Sequence, residues 1–318
     1  IGDQMTNLKK IGLTALAGTL ASTSYAIAGD LSVSGTARLE YESKQNTANT
    51  NTDIFNDNST LTFSGSGETD MGFTVSYMQA LAAGTFTSQY VTVDMGDMGT
   101  ISMADGTNVA GISTIQDMVP NAGEQPWDDL DTTADGTEHG RPQDGVAQPH
   151  AGARLGYSID VGGAIVSAAT NFQFSSATTS AAVQLPNLVE GLNIGAGIAT
   201  DQESETVEND IETYYLSYAM GPISVGAQQT KIDHQTAASD IERDAYGITF
   251  AVNENLSIGY GVSDVEYDAL ARDEESTGIQ ASYTSGGMTI GFVNNTKDNV
   301  NGSTTDMEMN ELMLTFAF

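Results

Sequence analysis

After residue 28 the chain holds no apolar run near the ~20 residues that a helix needs to cross a bilayer, yet apolar residues recur at alternate positions again and again. Leu192, Ile194, Ala196 and Ile198 alternate in this way, as do Ile223, Val225 and Ala227. So do Tyr246, Ile248, Phe250 and Val252, then Leu256, Ile258, Tyr260 and Val262, then Ile279, Ala281 and Tyr283, then Met288, Ile290 and Phe292. Such a period places one apolar stripe on one face of a strand. The intervening residues are Gly, Ser, Thr, Asn, Ala and Gln, where a soluble sandwich would favour Lys, Glu, Thr and Arg. A small, wettable second face suits a water-filled interior, with the apolar face turned to lipid. A sheet in hydrocarbon must also close on itself, because an open edge leaves backbone groups unpaired. The pattern therefore predicts an all-β transmembrane antiparallel β-barrel.

The C-terminus fits such a barrel. Leu312, Leu314, Phe316 and Phe318 form one stripe that ends on an aromatic, as a closing strand would. Short turns are predicted at 69–72, 94–99, 160–163, 185–191, 219–222, 253–255 and 285–287. Longer polar loops are predicted at 43–58, 81–88, 107–150, 175–179, 201–210, 233–242, 264–276 and 295–306. Seven turns and eight loops imply sixteen strands, an even count with short periplasmic turns and long extracellular loops. Phe73, Tyr157, Tyr218, Phe250, Tyr283 and Phe316 lie near the short turns or the C-terminus with outward parity, the place of an aromatic girdle. Plain strand propensity is the competing account of those aromatics.

The other end carries an address. Lys9 and Lys10 precede an uncharged run from Ile11 to Leu20, and Ser24-Tyr25-Ala26 and Ala26-Ile27-Ala28 both fit a small-x-small cleavage site. Residues 1–28 are thus expected to be an N-terminal extension and cleaved signal peptide, and 29–318 the barrel. Ile1 to Gln4 precede Met5, the expected start. There is no cysteine, so no disulfide and no thiol chemistry. Against 42 acids stand 10 bases, a formal charge of −32 that repels nucleic acid and anionic membrane surfaces.

Signal peptide, even strand count and terminal Phe318 together resemble a Gram-negative general diffusion porin, and most of all the small trimeric porins of alphaproteobacteria, marine ones included. The segment from Ala28 to Gly35 is similar to the first strand of those proteins. The likeness covers essentially the whole mature chain. It implies a homotrimer of independent water-filled channels in the outer membrane, set among lipid and lipopolysaccharide. It further implies that the third long loop folds into each lumen. Residues 107–150 are the candidate, being by far the longest connection and rich in Asp117, Glu124, Asp128, Asp129, Asp131, Asp135, Glu138 and Asp144 against a single Arg141. A structureless loop of this length is functional or disordered, and an acidic disordered surface loop is the competing account. Trp127, the only tryptophan, is positioned to anchor it. Such porins set basic wall residues against the loop. Here the parity turns only Arg38, Arg154 and Arg243 inward, a thin cluster beside the acids. Acid in excess over base predicts a cation-preferring pore.

Nothing in the chain calls for a catalyst. There is no P-loop, no G-x-S-x-G and no H-E-x-x-H, and His139, His150 and His234 are dispersed. Asp128-Asp129-Leu130-Asp131 departs from EF-hand spacing, which leaves loose association of Ca2+ or another cation and no ordered metal site or cofactor. The leading expectation is passive diffusion of small hydrophilic solutes and ions. Alternatives are a substrate-selective outer-membrane channel and a secreted acidic β-rich adhesin or surface-layer protein; a fixed-period repeat would favour the last, and none is present.

Overall fold

The computed structural model describes residues 31–47, 51–82, 84–105, 109–127, 130, 154–171, 178–204, 207–235 and 240–318. The expected signal peptide lies outside them. Among the described residues no helix is long and apolar enough to cross a membrane. Seventeen hydrogen-bonded segments reduce to sixteen strands. Asn51–Asp57 and Thr60–Glu68 both pair with β1 (Ser32–Asn46), so together they form one strand, β2, interrupted at Asn58 and Ser59. Then follow β3 (Thr74–Ala82), β4 (Thr85–Asp94), β5 (Thr100–Asp105), β6 (Arg154–Val161), β7 (Ala164–Asn171), β8 (Thr178–Val189) and β9 (Leu192–Ser204). The second half comprises β10 (Val207–Met220), β11 (Ile223–His234), β12 (Ile241–Ala251), β13 (Leu256–Tyr267), β14 (Glu274–Ser285), β15 (Met288–Asp298) and β16 (Met307–Ala317).

Each strand pairs antiparallel with its successor, and β16 returns to β1 from Thr36↔Ala317 to Asn46↔Met307. The barrel is closed and no edge is left. The outward parity holds as predicted: Ile198, Val225, Tyr246, Ile248, Phe250, Ile258, Tyr260, Ile279, Ile290, Phe292, Leu312, Leu314 and Phe316 are exposed and apolar. In water this belt would be an aggregation surface; in hydrocarbon it is the solvated face. Of the aromatics expected near the turns, Tyr157, Tyr218, Phe250, Tyr283 and Phe316 are exposed, and Phe73 is half-buried.

At closure, the Gly35 N–H donates to the Phe318 carbonyl at 2.9 Å, and the Phe318 N–H donates back to Gly35 at 3.0 Å. Phe318 also lays its ring over Gly35, where a Cβ would sit 2.8 Å from the ring edge. Deleting Phe318 is expected to lower the temperature at which the folded band converts on a semi-native gel. The two lost backbone bonds are each worth about 0.5–1.5 kcal/mol. An unchanged transition would show that the terminal pairing adds nothing to closure.

The predicted boundaries need correction in two ways. The connections at 43–58, 81–88 and 201–210 are mostly strand: β1 runs to Asn46 and β2 starts at Asn51, β3 and β4 are separated only by residues 83 and 84, and β9 and β10 by 205 and 206. Apolar alternation stops where lipid stops, but the ladder continues with polar side chains on both faces. The turn predicted at 185–191 shrinks to Glu190 and Gly191, because β8 carries Pro186 in a bulge. The register jumps from Leu185↔Ile194 to Val189↔Leu192, and Asn187 takes φ 53°. A bulge is where a strand tolerates a residue without an N–H.

Candidate functional site: the inward loop and the wall it meets

After β5 the chain enters the barrel. Residues 109–127 run along the inner wall from β6 to β16, with a short 3-10 turn at Gly111–Ile115. Inward-facing glycines mark the track. A Cβ on Gly156 would collide with Ala110, one on Gly197 with Ile112 and Ile115, and one on Gly226 would lie 2.5 Å from Pro120 Cδ. On Gly247 it would lie 2.5 Å from the Pro120 carbonyl oxygen and from Val119 Cγ1, and on Gly261 it would lie 2.7 Å from Pro126 Cγ. Only glycine lets a second backbone come this near a strand.

Wall side chains satisfy the loop's backbone, which lies off the β-ladder. Gln228 accepts from the Met118 N–H at 3.0 Å and donates to the Ile115 carbonyl at 2.9 Å. Gln280 accepts from the Ala122 N–H at 2.8 Å, and Asn295 donates to the Gln125 carbonyl at 3.0 Å. Apolar contacts complete the seat. Ile112 and Ile115 join Ala182, Ala199, Ile211, Tyr215, Ile232, Ile241 and Val265 in one buried apolar cluster. This corrects the expectation of a uniformly wettable lumen: beneath the loop, part of the inner wall is apolar because the loop covers it.

The acids on the described part of the loop are Asp117 and Glu124. Asp117 is exposed to the lumen and accepts from Gln125 Nε2 at 2.5 Å. Glu124 sits at the far end of the track, where the loop meets β1 and β16, and Arg38 of β1 bonds to it. Arg38 also pairs with Glu40 and lies 3.6 Å from Glu311. Asp128, Asp129, Asp131, Asp135, Glu138 and Asp144 lie outside the described residues.

Of the three expected wall bases, Arg38 meets the loop acid Glu124 directly. Arg243 is only 1% exposed; its guanidinium lies under the Trp127 ring at 4.0 Å, and its Nε–H donates to Ser263. It holds the loop down and is not presented to the open lumen. Arg154 opens β6 beside Ala110, Ser113 and Asn171, where the loop leaves the wall.

Sequence reasoning missed a second group. Glu40, Glu42 and Lys44 follow Arg38 on the inner face of β1, and Glu42 is paired in register with Glu311 of β16. Glu42 accepts from Asn56 Nδ2 at 2.6 Å and pairs with Lys44 at 2.7 Å; Glu40 accepts from Asn58 Nδ2 at 2.5 Å. The available signal was the i, i+2 run Arg38, Glu40, Glu42, Lys44, which alternation puts on one face.

Across the lumen from the described part of the loop, cross-strand pairs such as Thr62↔Ala80, Ser64↔Met78 and Ser76↔Thr92 form the facing wall. No Lys or Arg occurs anywhere from residue 51 to residue 105, which spans all of β2 to β5. The passage is therefore bounded by a hydroxyl-rich wall on one side and an acid-bearing loop on the other.

The Gram-negative porin family model matches residues 12–309. Among solved structures, the anion-selective porin from Comamonas acidovorans superposes with a TM-score of 0.70 at 13% identity, over 91% of this chain and 100% of that one. The in-vitro folded outer-membrane protein OmpT of Vibrio cholerae, in its trimer form, gives 0.63 at 13% identity, over 91% and 99%. A triple mutant of the Rhodopseudomonas blastica porin gives 0.63 at 14% identity, over 91% and 100%. No curated protein sequence matches the chain. At such identities the solved structures speak for the fold, while the family pattern runs nearly end to end. A closed barrel with residues 109–127 of its longest loop laid along the inner wall, and a family match from residue 12 to residue 309, place this chain among the Gram-negative porins: it is a passive channel of the outer membrane and not an enzyme.

Proposed function

We propose that the channel prefers cations and passes small hydrophilic solutes by size and charge alone. The observation that carries this is the wall opposite the loop, where β2 to β5 bring no basic residue at all. Arg38, a half-buried base of β1, is already engaged by Glu40 and Glu124. Asp117 adds an exposed carboxylate on the loop side. A narrow passage of one sign between low-dielectric walls concentrates counter-ions. The Comamonas porin is named for anion selectivity, but a shared fold does not carry a shared filter; the side chains at the constriction set the sign.

The reading includes a homotrimer, supported by the trimer form of the Vibrio OmpT neighbour, and export with loss of residues 1–28. Mass spectrometry of the outer-membrane form should then find a chain starting near Gly29.

The functional test is the reversal potential of single channels in a planar bilayer across a KCl gradient. It should favour K+ over Cl−, more strongly at 0.1 M than at 1 M salt, where the Debye length falls from ~10 Å to ~3 Å. The double variant D117N/E124Q should move the potential toward zero. An anion-favouring potential at low salt would overturn the proposed filter while leaving the channel intact.

A further inference from the structure

Glu40, Glu42 and Glu311 each offer a carboxylate oxygen, and the three oxygens all lie within 4.8 Å of one another. All three residues are buried, at 2%, 3% and 2% exposure. Glu42 and Glu311 are direct cross-strand partners, a placement that like charges normally disfavour. Buried carboxylates demand compensation by positive charge.

Among the described residues the compensation is incomplete. Arg38 serves Glu40, Glu124 and Glu311, and Lys44 serves Glu42. With all four carboxyl groups ionised, two cations leave two surplus negative charges, the charge of one divalent ion. Glu311 shows where the deficit falls. It is more than nine-tenths buried, its Oε2 meets no N–H or hydroxyl donor among the described residues, its carboxyl lies against that of Glu124, and it stands inside the cluster. The Oε2 of Glu124 is likewise buried and without a hydrogen bond.

We propose that Glu40, Glu42 and Glu311 form a divalent-cation site, of the hard, oxygen-ligand class that takes Ca2+, in the wall where the loop tip docks. Calcium accepts six to eight oxygens in flexible arrangements, and carboxylates with water meet that need. With Glu124 beside it, the ion would tie the tip of the inward loop to β1 and β16.

The test measures binding directly, so its failure leaves the selectivity proposal standing. Detergent-solubilised full-length protein, stripped with EDTA, is titrated with Ca2+ by equilibrium dialysis in 0.15 M KCl, where exposed carboxylates are screened. One saturable site per chain is expected. E311Q and E42Q should each weaken it by about tenfold or more, since affinity follows the ligand charge count. E275Q, at an exposed position, should leave it unchanged. Folding of each variant is checked by gel heat-modifiability, and wild-type protein is tested for a rise in unfolding temperature with Ca2+. Absence of a saturable site in wild type, or undiminished affinity in folded E311Q, would overturn the proposal. The surplus charge would then be met by a proton shared between Glu311 and Glu124.

Discussion

Replacing Gly247 with valine is expected to push the inward loop off the wall and turn one steady conductance level into several. A Cβ at this position would lie 2.5 Å from both the Pro120 carbonyl oxygen and Val119 Cγ1. One of these is backbone, so no rotamer change relieves the clash. Overpacking of this kind costs about 1–3 kcal/mol. Applied to a seated and an unseated loop, that shifts their ratio roughly five- to a hundred-and-fifty-fold. Gly226→Val strikes the same proline from the next strand, with its Cβ 2.5 Å from Pro120 Cδ, and the double variant should be more severe than either single one. Thr62→Val, on the opposite wall, is the control: it changes a side chain of similar size away from the described track of the loop. Single-channel recording decides the matter. If Gly247→Val shows one level of unchanged size and duration, the loop does not depend on the glycine track.

The same glycines show how far the sequence could be read. Gly195, Gly197, Gly226, Gly247, Gly259 and Gly261 alternate with apolar residues, and the alternation correctly placed them on the inner face. It could not say that five of them face a second layer of chain and Gly195 the Tyr215 ring, because absence of a side chain suits a wet lumen equally well. Gln228 and Gln280 are ambiguous in the same way: an inward amide suits a wet lumen and equally suits a loop's backbone. Strand number and closure were legible because lipid imposes a strict period of two on the outer face. Strand ends were less legible, since polar segments such as Lys44 to Asn46 and Asn51 to Asp53 extend β1 and β2 without any apolar mark. Arg243 illustrates the limit of parity. Its inward direction was predicted correctly, but only the position of Trp127 above it reveals that it is covered. A loop's path depends on contacts far apart in sequence, and local periodicity carries no record of them.

Arg38→Gln, studied in EDTA, is expected to free the loop tip and increase the preference for cations. It removes the base that bonds Glu40 and Glu124 and approaches Glu311 at 3.6 Å, leaving Lys44 as the base paired to the cluster. Breaking a fully buried ion pair costs about 3–5 kcal/mol. Arg38 keeps 30% of its side chain exposed, so water screens part of the loss and the effect should fall below that range. Repulsion among the remaining carboxylates then drives Glu124, the only one on the loop, away from the wall. Noise at the open level should increase, and the reversal potential should move further toward K+. Arg38→Lys should fall between, because it keeps the charge but loses the fork that engages two carboxylates at once. Adding Glu124→Gln to Arg38→Gln separates the causes. If the tip is held by this pair, the double variant should be quieter than Arg38→Gln alone, with a coupling of about 0.5–3 kcal/mol in a double-mutant cycle on thermal stability. Additive effects would mean instead that Arg38 acts only on the wall carboxylates and that Gln228, Gln280 and Trp127 hold the loop without it.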